Sequence, residues 1–169
     1  AGTLKRKLSE AGWGLAGDET LKITLCPKKR GYTGTELEQI LRGQGIVCEF
    51  ADPDYLVLMV TPQNTENELL YLENALNGIP GRDPIAGRPP RPGHPRRILS
   101  PHEALFLPSE RIAAEQSAGR ILASPCVSCP PAVPICACGE EIDEQTVALF
   151  RYYGIDFCDV VAVEEQTRR

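Results

Sequence analysis

The stretch from residue 80 to residue 97 constrains this chain most. It carries prolines at 80, 84, 89, 90, 92 and 95 and glycines at 81, 87 and 93. Proline fixes φ and has no amide to donate, so a run this dense neither continues a helix nor sits inside a sheet. No apolar period crosses it. The 169 residues therefore read as two small units, 1–79 and 98–169, joined by an extended connector. The connector is basic: Arg82, Arg88, Arg91, Arg96 and Arg97 stand against one acid, Asp83. That reads as a solvated linker, with an anion-binding strand as the alternative.

In the first unit, Leu4, Leu8 and Ala11 recur at helical spacing, and a helix is predicted over 1–13, stopped by Gly14. Leu21, Ile23 and Leu25 alternate as in a half-buried strand over 21–26. Gly31-Tyr32-Thr33-Gly34 is a turn before a helix over 35–42, where Thr35 and Glu38 have capping-box spacing. Residues 46–50 and 55–60 read as two strands about the turn Asp52-Pro53-Asp54, whose side chains bond nearby amides. Thr65 and Glu68 form a second box, opening a helix with the stripe Leu69, Leu72, Leu76 and Ile79.

In the second unit, Ser100-Pro101 is an N-cap followed by proline at the first helical position. A short helix is predicted over 109–117, and strands over 120–127 and 133–137. Asp143 caps a helix running to Tyr153 with Val147 and Phe150 inward, and 157–163 is a last strand before a frayed tail at 164–169. The fold class is α+β, two small α+β units joined by a Pro/Arg-rich linker.

Composition narrows the function. A net charge of −5 lacks the basic footprint of a nucleic-acid binder. No apolar run reaches the ~20 residues of a membrane span, and no signal peptide is seen, so the expected location is the cytoplasm, with the seven cysteines reduced. With only 6% aromatic residues and one tryptophan, Trp13, the core must rest on Leu, Ile, Val and Ala.

Four features invite chemistry. Cys126, Cys129, Cys136 and Cys138 form a C-x-x-C followed by a C-x-C. Paired thiolates make zinc sites, iron–sulfur sites or redox pairs, but free cysteine is also an ordinary buried small residue, and Pro130, Pro131 and Pro134 stiffen the connection. His94 and His102, the only histidines, read as turn or surface residues. Gly31 to Gly34, preceded by Lys28, Lys29 and Arg30, has the position of a phosphate cradle without a P-loop's residues, so a plain turn is preferred. Glu140, Glu141, Asp143 and Glu144 are either site acids or the solvated start of a helix. These patterns by themselves assign no active site.

A resemblance adds to them. Ser100-Pro101-His102-Glu103-Ala104-Leu105-Phe106, Ala118-Gly119-Arg120-Ile121, Pro130-Pro131-Ala132-Val133-Pro134 and Gly139-Glu140-Glu141-Ile142 resemble, in order, the C-terminal domain of the bacterial ornithine/lysine/arginine decarboxylases, pyridoxal-phosphate enzymes of fold type I. The chain departs from the family's usual pattern at Cys129, Ala132 and Cys138, which suggests cysteines at packed positions. Residues 21–25, 31–34, 49–52 and 65–76 are similar to the preceding small domain of the aminotransferase-like fold.

The resemblance implies a parent enzyme that removes the α-carboxylate of arginine, lysine or ornithine as CO2 in polyamine biosynthesis. Pyridoxal phosphate would sit on a lysine of a large domain, in a Ser-x-His-Lys-like motif. Lys5, Lys7, Lys22, Lys28 and Lys29 are the only lysines, and none follows a histidine. The expectation is thus a C-terminal portion lacking that domain, truncated at its N-terminus, binding no cofactor itself and noncatalytic alone. It would cover the active-site cleft and aid dimer formation, with the large domain as partner, a homo-oligomer as assembly, and neither nucleic acid nor membrane involved. Glu140 is the candidate cleft acid for a cationic substrate, or else a cap of the helix near Asp143. The alternative is a zinc-binding or anion-binding interaction module.

Overall fold

The computed structural model describes residues 2–124, 128–129 and 133–163, without the side chains of 128, 129 and 133. The chain divides into two compact units, Ala1–Arg88 and Pro89–Arg169.

The first unit holds three helices, α1 (Gly2–Glu10), α2 (Gly34–Arg42) and α3 (Glu66–Asn77). They accompany an antiparallel sheet in the order β1 (Leu15–Ala16), β2 (Lys22–Leu25), β4 (Leu56–Met59), β3 (Phe50–Ala51). Pairing sets Ile23 opposite Leu58 and Leu25 opposite Leu56, and all four are buried. They share a core with Leu8, Trp13, Tyr32, Leu37, Leu41 and Leu76. Full burial of such a side chain is worth about 1.5–3 kcal/mol, so this cluster outweighs the exposed ion pairs of the unit.

Three local expectations are corrected. The first helix ends at Glu10, because Gly12 turns left-handed (φ +86°) and the Trp13 amide returns to the Leu8 carbonyl. The capping box of α2 is Thr33 with Glu36, not Thr35 with Glu38. The strand expected from residue 46 begins only at Phe50, because the Ile46 amide closes the end of α2 on the Leu41 carbonyl. A 3-10 turn at Pro27–Arg30 was also not anticipated.

The connector departs most from expectation. Arg82 and Ile85 donate their amides to the carbonyls of Arg30 and Lys28, and the Tyr32 hydroxyl donates to Pro80. Residues 80–87 thus stay exposed to solvent, as expected of a linker, but are hydrogen-bonded to the first unit, which runs to Arg88. At the other end the amides of Ile98 and Leu99 bond to the Gly139 carbonyl, and Glu141 bonds back to the Arg96 carbonyl.

The second unit contains α4 (Pro101–Phe106), β5 (Ser109–Ala113), β6 (Ser128–Cys129), β7 (Val133–Pro134), α5 (Glu144–Tyr152) and β8 (Phe157–Val161). The helix expected over 109–117 is instead β5 followed by a 3-10 turn, Ala114–Gln116. Ser-Glu-Arg-Ile-Ala has little local preference, and antiparallel pairing with β8 over five residue pairs decides. Of the strand expected over 120–127, Ile121 and Leu122 form single bridges to Glu141 and Val160. Residues 119–123 therefore lie bonded between β8 and residues 139–142. Leu122, Ile142, Val147, Phe150, Cys158 and Val160 form the core. The tail at 164–169 lies outside the described residues.

Candidate functional site

Glu140 sits on a tight turn. Its carboxylate accepts the Ala137 amide at 2.8 Å, its own amide donates to the Ala137 carbonyl, and its carbonyl accepts the Leu122 amide. The turn depends on Gly139, left-handed at φ +86°, where a Cβ would lie 2.3 Å from the Leu99 carbonyl oxygen. Glu140 does not cap α5. Asp143 does, accepting the Thr146 amide at 2.7 Å. Glu141 pairs with Arg96 at 3.0 Å, and Glu144 stands in the first turn of α5, where the helix dipole favours an acid. The acidic run is thus distributed over a turn, an ion pair and a helix start.

Cys136 and Cys138 flank this turn as buried thiols. Burial above all, then the nearby charges of Glu140, Asp143 and Cys158, pushes the Cys136 thiol up to about 12. Burial also raises Cys138, whose thiol donates to the Ala123 carbonyl at 3.1 Å. Metal ligation and redox exchange need thiolates, and these surroundings oppose them. Cys126 and the side chain of Cys129 lie outside the described residues. Among those described, no group of three His, Cys, Asp or Glu is placed to hold a metal ion.

The phosphate-cradle alternative fails at α2. The Thr33 amide and hydroxyl are both bonded to the Glu36 carboxylate, which occupies the place an anion would take. The Gly31 to Gly34 sequence is required by packing. A Cβ on Gly34 would lie 2.0 Å from the Tyr55 carbonyl oxygen, and one on Gly31 would lie 2.5 Å from the Arg82 Cβ. Two of the three cations expected to assist are engaged, Lys28 with Asp54 at 2.8 Å and Arg30 with the Ala11 and Ile79 carbonyls while stacked on Trp13, and Lys29 is exposed. The connector's Arg82 stacks on Tyr32 at 4.1 Å. His94 and His102 are both exposed, and the His102 ring lies 4.8 Å from Phe106.

Two polar positions went unremarked as sites. Asp52 is buried, with its carboxylate accepting the Asp54 and Tyr55 amides at 2.7 Å; burial raises its pKa and those amides pull it back. Arg120 bridges Glu110 and the Val161 carbonyl. An open groove of about 450 Å³ is also present, lined by Thr3, Leu4 and Lys7 of α1 and Asn67, Leu69 and Leu70 of α3. The Asp-Pro-Asp signature marks the first of these; nothing in the sequence marks the groove, since it depends on how two helices lie. Among the described residues, the arrangement is one of turns and anchors rather than of nucleophile and base. No helix of the described residues is long and apolar enough to cross a membrane.

No family profile matches the chain. It is 31% identical over 157 residues to an arginine decarboxylase of Halalkalibacterium halodurans, covering 88% of this chain and 32% of that protein. An arginine decarboxylase of Bacillus subtilis is 27% identical over 134 residues, covering 75% of this chain and 27% of that protein. The constitutive lysine decarboxylase of E. coli superposes with a TM-score of 0.59 at 15% identity, over 85% of this chain and 32% of that one. In sequence and in fold, then, this chain is similar to arginine and lysine decarboxylases, and it spans about a third of their length.

Proposed function

We propose that the chain is the C-terminal portion of a pyridoxal-phosphate-dependent decarboxylase of basic amino acids, noncatalytic by itself. The observation that carries this reading is the unequal coverage: 88% of the chain aligns with 32% of an arginine decarboxylase. The chemistry of the side chains agrees. An imine-forming lysine must be held neutral in a prepared pocket. Here Lys7, Lys22 and Lys28 are ion-paired with Glu73, Glu19 and Asp54, Lys5 donates to the Glu19 carbonyl, and Lys29 is exposed. These residues do not fit the cofactor. The large domain would bind it, with this portion covering the cleft and aiding dimer formation in the cytoplasm.

The purified chain mixed with equimolar pyridoxal phosphate should give only a weak imine spread over exposed amines such as Lys29, while the full-length protein should release CO2 from arginine, lysine or ornithine. A stoichiometric borohydride-reducible adduct confined to one lysine of the isolated chain would overturn the reading.

Within it, Glu140 is the acid that meets the substrate's cationic end. Glu140→Gln keeps an acceptor for the Ala137 amide but removes the charge. In the full-length enzyme it should raise KM for the basic amino acid about tenfold, the scale of one charge-assisted contact of roughly 1.4 kcal/mol. An unchanged KM would leave Glu140 with its turn alone.

A further inference from the structure

The connector is held at both ends. On the first unit, Lys28 is the centre of the attachment. Its carbonyl accepts the Ile85 amide at 3.0 Å, and its ammonium donates to the Gly87 carbonyl at 2.9 Å while paired with Asp54. The pair is well shielded, with the two side chains 14% and 12% exposed, so solvent screens it less than a surface pair. Beside it, the Arg82 amide bonds to the Arg30 carbonyl, the Arg82 guanidinium lies on the Tyr32 ring, and the Tyr32 hydroxyl holds the Pro80 carbonyl. On the second unit, Gly93 packs so closely on the start of α5 that a Cβ would lie 2.3 Å from the Asp143 carboxylate. Beyond it the amides of Ile98 and Leu99 are bonded to Gly139.

We propose that this segment is a strap latched by Lys28, which leaves only Arg88-Pro89-Pro90-Arg91-Pro92 as the free joint between the two units. Three of those five residues are proline, so the joint is a semi-rigid polyproline-type spacer rather than a flexible tether. Releasing the latch would add residues 80–87 to that segment. The prolines thus stand where, among the described residues, no backbone hydrogen bond holds the chain. This inference concerns the strap alone and does not depend on the decarboxylase reading.

Hydrogen exchange on the whole 169-residue chain tests it. The amides of Arg82, Ile85, Ile98 and Leu99 should exchange at least tenfold more slowly than those of Arg88 and Arg91. Lys28→Met should remove the protection of Arg82 and Ile85 by a similar factor. Tyr32→Phe, which loses only the hydroxyl bond to Pro80, should weaken it by less, and both variants should leave Ile23 and Leu58 in the sheet protected. Exchange of Arg82 and Ile85 as fast as Arg88 in the unaltered chain would overturn the strap. Loss of their protection only together with that of Ile23 and Leu58, in both variants, would overturn the latch.

Discussion

At the scale of single residues, close approach and burial dominate. Gly34 is irreplaceable in the strict sense that a Cβ would lie 2.0 Å from one carbonyl oxygen and 2.4 Å from another, those of Tyr55 and Asp52. Both belong to backbone, so the strain cannot be relieved by a rotamer change. Gly34→Ala should cost about 3 kcal/mol or more, read as a fall in the urea midpoint. The buried thiols set a second expectation. Burial pushes the Cys136 thiol up to about 12 in the folded chain, from an ordinary value of 9.0. The unfolded chain therefore loses that proton first, and stability is retained below pH 9 and falls as pH rises from 9 towards 12. The slope is about 1.4 kcal/mol per pH unit for one such thiol. Denaturant melts at pH 8 and pH 10 measure this, and a Cys136→Ala variant should show a shallower loss.

At the scale of elements, helix starts were legible and strand partners were not. Three capping boxes, Thr33–Glu36, Thr65–Glu68 and Ser100–Glu103, open α2, α3 and α4. A box is a local exchange of two hydrogen bonds, so its signature lies within four residues. Even so, the box expected at Thr35–Glu38 lies at Thr33–Glu36, and the helix starts one residue early, at Gly34, which packs against the carbonyls of Asp52 and Tyr55. Thr33→Ala should accordingly destabilise the chain by about 1 kcal/mol and Thr35→Ala by much less, a difference visible in paired thermal melts. Glu36, Glu68 and Glu103 are all held below the usual carboxylate range, chiefly by bonds to their own caps. The stability they contribute is present above the ordinary glutamate pKa and is lost as pH falls through their lowered values. Strand β5 shows the opposite case. Its helix expectation failed because its partner, β8, lies more than forty residues away, where local propensity carries no information.

At the scale of the whole molecule, two separate cores were foreseeable and the fate of the connector was not. Helix α4 and the extended Leu107 that follows it leave Leu105, Phe106 and Leu107 exposed, Phe106 at 75%. Since Phe106 is not part of either core, Phe106→Ser should change the stability of the chain by less than about 0.5 kcal/mol in denaturant melts. Larger destabilisation would mean that the ring is buried in solution. The α+β class, the apolar stripes and the caps at Thr65, Ser100 and Asp143 were determined by the sequence alone, because each rests on interactions among residues a few positions apart. The tertiary structure decided the rest. It paired β5 with β8 and folded the first half of the connector onto the first unit. It placed Glu140 in a turn instead of a cap, and it buried Cys136 and Cys138 as neutral thiols. Each of those outcomes depends on what a residue meets from a distant part of the chain, and neither spacing nor composition encodes that meeting.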